Sequence, residues 1–196
     1  MSLKPHRRAL VIVAHPDDET IWMGATIRRY PELAWTIFSL CRASDADRAP
    51  KFRRVCEYYG AECLIADLDD ADILDDESAQ AEAKSLIKEN ISADDFAYIF
   101  THGKNGEYGH PRHVAVHNAV CELMREGRLR PETLFCFAYR RSSDNKSLVP
   151  DAKSIRCKLT PDELNEKKRI VAEMFGYPRE GIDVGYCTSI EAFEIL

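Results

Sequence analysis

The sequence predicts an α/β protein, a three-layer sandwich with a mostly parallel sheet and helices on both faces. Three observations carry this. Short runs that are apolar throughout recur along the chain, as strands buried on both faces do. An amphipathic segment of helical length follows most of them, the rhythm of strand–helix–strand units. The 196 residues contain no linker, repeat or low-complexity stretch, so one domain spanning 1–196 is expected. Together these describe a Rossmann-like, doubly wound arrangement.

The elements follow in order. "RALVIVAH" reads as the first strand and "TIWMGATIRRY" as a helix that stops near Pro31. "AWTIFSLC" is the second strand. "KFRRVCEYYG" is a helix ended by Gly60, a residue that readily closes a helix in the left-handed conformation. "AECLIADL" is the third strand and "DDESAQAEAKSLIKENI" the third helix. "FAYIFTH" is the fourth strand, "HPRHVAVHNAVCELMREG" a long helix closed by Gly127, and "ETLFCFAYR" the fifth strand. Residues 141–196 change rhythm and are expected to append a hairpin, a helix and an edge strand. The hairpin or extended excursion is "SLVPDAKSIRCKLT". The helix starts with Thr160 as cap, Pro161 as first helical residue and Glu163 as capping-box partner. The alternating "SIEAFEIL" is the edge strand. Gly24 is expected to permit close helix–sheet packing.

Charge and cysteine usage bound the function. The formal net charge is −6, from 33 acidic and 27 basic side chains, which argues against non-specific nucleic-acid binding. The seven cysteines are dispersed without a C-x-x-C pair, as reduced core thiols in a cytoplasmic protein are. Lys4, Arg7 and Arg8 precede "ALVIVA", but that run is too short for a signal peptide. No stretch reaches transmembrane length, so no membrane partner is expected.

The stretch "VIVAHPDDET" ends a buried strand in a histidine and three consecutive carboxylates. A second unusual stretch, "THGKNGEYGHPRHVAVH", ends the fourth strand. Ligands of such sheets bind beyond the strands' carboxyl ends, and strands one and four are neighbours at the switch point in the common strand orders. The two clusters are therefore predicted to meet. His15 and Asp18 lie three apart at a helix start, as do His110 and His113, so each pair shares one side of a first turn. Two histidines and a carboxylate form a common catalytic zinc set with one position left for water. The best trio is His15, Asp18 and His113, and a cation would offset the repulsion among the acids. Such an ion lowers the pKa of its water towards ~7. Asp17 is placed to take the water's proton, and His110 to stabilise or protonate the group opposite. These are the parts for metal-assisted hydrolysis of an amide or ester.

"AHPDDE" (residues 14–19) with "GEYGHPRHVAV" (residues 106–116) resembles the LmbE-like, or PIG-L, family of zinc-dependent N-acetylglucosaminyl deacetylases. The resemblance implies a Rossmann-like fold and removal of an N-acetyl or other N-acyl group from an amino sugar or glycoconjugate. It implies zinc bound by His15, Asp18 and His113, Asp17 as general base, and His110 acting on the oxyanion or the leaving amine. It places Arg48 at a substrate-contacting arginine and Asp70 nearest an aspartate after the third strand. Family members often assemble as homo-oligomers. The departure is Arg112, where the family usually carries aspartate. A cation beside His110 would depress that histidine's pKa, or would face the pocket mouth and bind an anionic substrate group. The family's usual acid in the second helix is also replaced, by Lys51 and Phe52, and weak activity on plain N-acetylglucosamine is expected.

Other residues have plainer readings. His102 ends the fourth strand and either lines the pocket or packs. His117 lacks the glutamate of an H-E-x-x-H helix and is read as packing. Glu19 is read as a supporting or helix-start charge. "DLDDADILDDE" lacks the glycine of a calcium-binding EF-hand loop and reads as a solvated loop. No G-x-G-x-x-G or Walker A motif accompanies the first strand. The alternatives are a non-catalytic metal-containing sugar- or nucleotide-binding homologue, favoured by Arg112, and a metal phosphoesterase. The donor set also suits iron(II) or another divalent metal.

Overall fold

The structure, a computed structural model, describes residues 1–71, 73–92, 96–143 and 147–196. Strands β1 (Arg8–Val13), β2 (Ala34–Ser39), β3 (Glu62–Ile65), β4 (Tyr98–Thr101) and β5 (Thr133–Phe137) alternate with helices α1 (Asp18–Arg29), α2 (Arg48–Tyr59) and α3 (Asp76–Asn90), then with the short α4 (Gly106–Gly109) and the long α5 (Pro111–Arg125). After β5 come the hairpin strands β6 (Tyr139–Arg141) and β7 (Leu148–Pro150), then β8 (Ile155–Lys158), α6 (Pro161–Arg169), α7 (Ile182–Tyr186) and β9 (Ile190–Ile195). The seven-stranded sheet has the order β3-β2-β1-β4-β5-β9-β8. Its first five strands pair in parallel, while β9 runs antiparallel to both β5 and β8.

Alternation along β1 distributes the core. Ala9, Val11 and Val13 face one hydrophobic cluster with Ile21 and Trp22 of α1 and Phe52 of α2. Leu10, Ile12 and Ala14 face the other, with Ile87 of α3 and Val116 and Val120 of α5. Both faces are covered, which is why the strands read as unbroken apolar runs. Gly60 ends α2 at φ 67, as its position requires, and Thr160 and Glu163 form the reciprocal capping box of α6.

Several details differ from the sequence reading. β9 lies inside the sheet, between β5 and β8, and β8 is the edge. The stretch 147–160 does not fold on itself: β7 pairs with β6, and β8 with β9. Gly24 admits a helix rather than the sheet, since a Cβ there would lie 2.7 Å from the Tyr59 hydroxyl of α2. Asp72, within the acidic run, falls outside the described residues. Asp69 of that run accepts the backbone N–H groups of Ala71, Ile73 and Leu74, so its carboxylate organises a loop. All seven cysteines are free. Among the described residues no helix is long and apolar enough to cross a membrane.

Helix α1 breaks at Met23 (φ −148°, ψ 17°). The N–H groups of Ala25 and Thr26 donate to the buried Glu191 of β9 at 2.9 and 2.7 Å. The Thr26 hydroxyl and Lys167 Nζ of α6 complete that carboxylate's shell at 2.6 and 2.9 Å. One buried acid thus ties α1, α6 and the sheet together.

Candidate metal centre

β1 and β4 are adjacent, and their carboxyl ends bring the two clusters together. Pro111 occupies the first turn of α5 with His110 as N-cap, and Asp18 opens α1. His15 Nδ1, Asp18 Oδ2 and His113 Nε2 converge: the three separations are 3.2, 3.2 and 3.4 Å. Donors bound tetrahedrally to one ion at about 2.0–2.1 Å stand roughly 3.3 Å apart. The residues present therefore fit a divalent cation.

The far side of each ligand is held as a metal site requires. His15 Nε2 lies 2.9 Å from Asp70 Oδ1, and His113 Nδ1 lies 2.6 Å from Glu107 Oε2. A carboxylate can only accept, so each imidazole donates from its rear nitrogen, which leaves the front nitrogen as the one that would bind an ion. Asp18 Oδ1 accepts the Trp22 indole N–H at 2.9 Å, and Oδ2 accepts the His15 backbone N–H at 2.8 Å.

Among the described residues, three further trios have donors within 4.8 Å of one another. In His15–His110–His113, the Nδ1 lone pair of His110 already accepts the Arg112 N–H at 3.2 Å. In Asp18–His102–His113, Nε2 of His102 accepts the Ala14 N–H at 2.9 Å. In His15–Cys41–Asp70, Arg42 and His15 occupy both oxygens of Asp70, and burial pushes the Cys41 thiol far up. In the trio read from the sequence, His15 Nδ1, Asp18 Oδ2 and His113 Nε2 face one another, and each imidazole gives its rear nitrogen to a carboxylate.

A cleft of about 250 Å³ opens on this centre, with Asp17, Asp70, His110 and Arg48 among its walls. Asp17 is 6 % exposed, and Tyr177 donates its hydroxyl to Oδ2. Burial, then the neighbouring Asp18 charge, raises the Asp17 carboxyl to about 7. His110 stacks on His113 with ring centroids 4.6 Å apart. Burial, then the charges of His113 and His15, lowers its pKa to about 4, so it is a neutral Nε2–H donor at neutral pH. For His15, burial opposes the charged form, but the hydrogen bonds and charges of Asp18 and Asp70 outweigh it and hold the pKa at about 10. At that value the metal-free imidazole is protonated at neutral pH, and a cation bound there takes the place of the Nδ1 proton. Glu19 is fully buried, accepts the Asp17 N–H at 3.1 Å, and is raised by burial to about 8.

Backbone strain concentrates here. Of four described non-glycine residues with positive φ, Asp17 (148°), Arg42 (75°) and Glu107 (57°) border this centre. Such conformations cost about 1–3 kcal/mol each and gather at functional sites.

Two expectations are corrected. Arg112 does not face the pocket mouth. It is 1 % exposed, with Nε donating to the Asp69 carbonyl at 2.6 Å and Nη2 to Asp69 Oδ2 and the Leu74 carbonyl at 3.2 Å each. It braces the loop that carries Asp70, and the depression of His110 has other causes. The observation favouring a non-catalytic homologue is thereby withdrawn. His102 is fully buried behind His113, with ring centroids 3.8 Å apart, and is no cleft residue. His117 packs as expected, Nδ1 donating to the His102 carbonyl at 2.8 Å. Arg48 does line the cleft, its guanidinium 4.3 Å above the Tyr177 ring. Sequence reasoning passed over Trp22, Glu107 and Tyr177. The first lies four residues after Asp18 on the same helix face, a readable signal. Glu107 stands inside the second motif. Nothing in the sequence around Tyr177 signals its reach to Asp17.

Fold and site define an α/β protein with a candidate His2Asp metal centre at the carboxyl ends of its parallel strands. The chain belongs to the PIG-L family, GlcNAc-PI de-N-acetylase, whose family model matches residues 10–124. The resemblance carried by the two motifs is borne out. A bovine (Bos taurus) N-acetylglucosaminyl-phosphatidylinositol de-N-acetylase is 26% identical over 132 residues, which is 62% of this chain and 52% of that protein. The chain thus spans about half the length of this curated relative. Among solved structures, the 4-carboxy-2-hydroxymuconate hydratase GalB of Pseudomonas putida superposes with a TM-score of 0.63 at 13% identity, over 96% of this chain and 95% of that one. An antimicrobial reagent pseudoaglycone deacetylase gives 0.62 at 14%, covering 87% and 82%. A conserved protein of Thermus thermophilus gives 0.61 at 17%, covering 88% and 79%. These likenesses show the shared fold.

Proposed function

We propose that this chain is a metal-dependent hydrolase that removes an N-acetyl group from an amino sugar, with zinc as the cation. The observation that carries the reading is the convergence of His15 Nδ1, Asp18 Oδ2 and His113 Nε2 at 3.2–3.4 Å, with Asp17 and His110 on the walls beside them. A cation held there supplies positive charge for an amide carbonyl and a water of lowered pKa. Asp17, its second oxygen steadied by Tyr177, accepts the proton that the attacking water gives up. The neutral His110 donates its Nε2–H to the oxygen on which negative charge develops. Water adds to the carbonyl carbon, the C–N bond breaks, and the proton on Asp17 passes to the departing amine. Acetate and a free amino sugar result. Arg48 and the Tyr177 ring form a wall against which the sugar is oriented.

The test is release of free amine from a panel of N-acetyl amino sugars and their glycoconjugates by the zinc-loaded protein. Amine from at least one member supports the reading, and no amine from any contradicts it. The pH profile gives a second check. Asp17 works only as carboxylate, so kcat/KM falls as pH drops through its pKa. The folded value is about 7, and a neighbouring cation lowers it, which puts the acid limb at or below that pH. A profile that stays flat down to the ordinary carboxylate range would remove Asp17 as the base.

A further inference from the structure

The metal-side motif has a buried acid that neither the ligand set nor the proton transfer uses. Glu107 is fully buried and sits at φ 57°, ψ −56°, a backbone conformation costly for any side chain. Its Oε2 lies 2.6 Å from His113 Nδ1 and 3.0 Å from His102 Nδ1, and its Oε1 accepts the Gly103 N–H at 2.7 Å. Bulk solvent does not reach these groups, since His102 and His113 are also fully buried.

We propose that Glu107 is a positioning residue that sets the tautomers of two imidazoles at once and so joins the two halves of the metal site. This rests on the metal centre proposed above. One carboxylate oxygen receives both Nδ1–H groups, which leaves both Nε2 atoms as acceptors. On His113 that lone pair faces His15 and Asp18. On His102 it accepts the N–H of Ala14, the residue before the ligand His15. Through one side the acid aims a ligand on α5. Through the other it fixes the backbone at the end of β1.

Glutamine in this place cannot do the same, although it has the same shape. If its oxygen faced the imidazoles, its NH2 would meet the Gly103 N–H, donor against donor. If its NH2 faced them, His113 would have to accept at Nδ1 and carry its proton on Nε2, where the lone pair is needed.

Two measurements test this. Two-bond 1H–15N spectra of the metal-free wild-type protein near neutral pH read the tautomers without any substitution. His102 and His113 are expected as Nδ1–H forms, and His113 protonated at Nε2 would overturn the proposal. Titration with Zn2+ against a competing chelator is the second. Glu107→Gln, with wild-type circular dichroism, is expected to bind zinc about 10–100-fold more weakly. Equal zinc affinity with an unchanged His113 tautomer would overturn the role of Glu107 alone. Failure of the wild type to bind zinc would instead remove the metal centre beneath it. Should the variant not fold, the wild-type spectra still decide.

Discussion

Asp17→Asn is expected to lower kcat for amine release by about 10²–10⁴-fold, the usual worth of a positioned general base, while zinc content stays at the wild-type level. Asparagine keeps the size and the Tyr177 contact but cannot take a proton. Geometry separates this residue from its neighbour. Asp18 Oδ2 points at His15 and His113, whereas Asp17 turns into the cleft towards Tyr177. Asp17→Gly sharpens the test. Its φ of 148° is a conformation that glycine tolerates, and burial beside Asp18 penalises the carboxylate. The glycine variant should be inactive yet melt higher than the wild type. An inactive variant that melts lower would show that the strain account of this turn is wrong, and activity within threefold of wild type in Asp17→Asn would remove the general base.

Glu191→Ala is expected to cost about 3–5 kcal/mol, because it leaves Lys167 buried without its partner and strips acceptors from Ala25 and Thr26. For a chain of this length that is a fall in Tm of roughly 6–20 °C. Lys167→Met added to Glu191→Ala should recover part of the loss by removing the stranded charge. Thermal melts of the two variants decide it. A single variant that melts with the wild type would show that the break in α1 is held by packing alone.

Much of the fold was legible because the parallel core advertises itself. β1, β2 and β4 are buried on both faces and read as apolar runs, and switch-point logic placed β1 beside β4. That adjacency, with the spacings His15-x-x-Asp18 and His110-x-x-His113, was enough to assemble the metal trio. What alternation could not convey was the neighbour of a strand. "SIEAFEIL" looks half-exposed and reads as an edge, yet β8 adds a further strand outside it, and Ala192 and Phe193 are both buried in the hydrophobic core. Arg112 was misplaced for a similar reason. Its charge suggested the pocket, but the backbone carbonyls of Asp69 and Leu74 offered a buried home that only the folded loop creates. His102 and Glu107 were visible as polar residues, but which nitrogen holds which proton emerges only from three-dimensional partners. Tyr177 lies 160 residues from Asp17, beyond any local pattern.

The central claim is that His15, Asp18 and His113 hold one catalytic cation. Elemental analysis of the purified protein beside His113→Ala tests it most directly. The account predicts about one zinc or other divalent metal per chain in the wild type and its loss in the variant. A wild-type protein that carries no metal and takes up none on titration, or a His113→Ala variant that binds metal as tightly as the wild type, would contradict it.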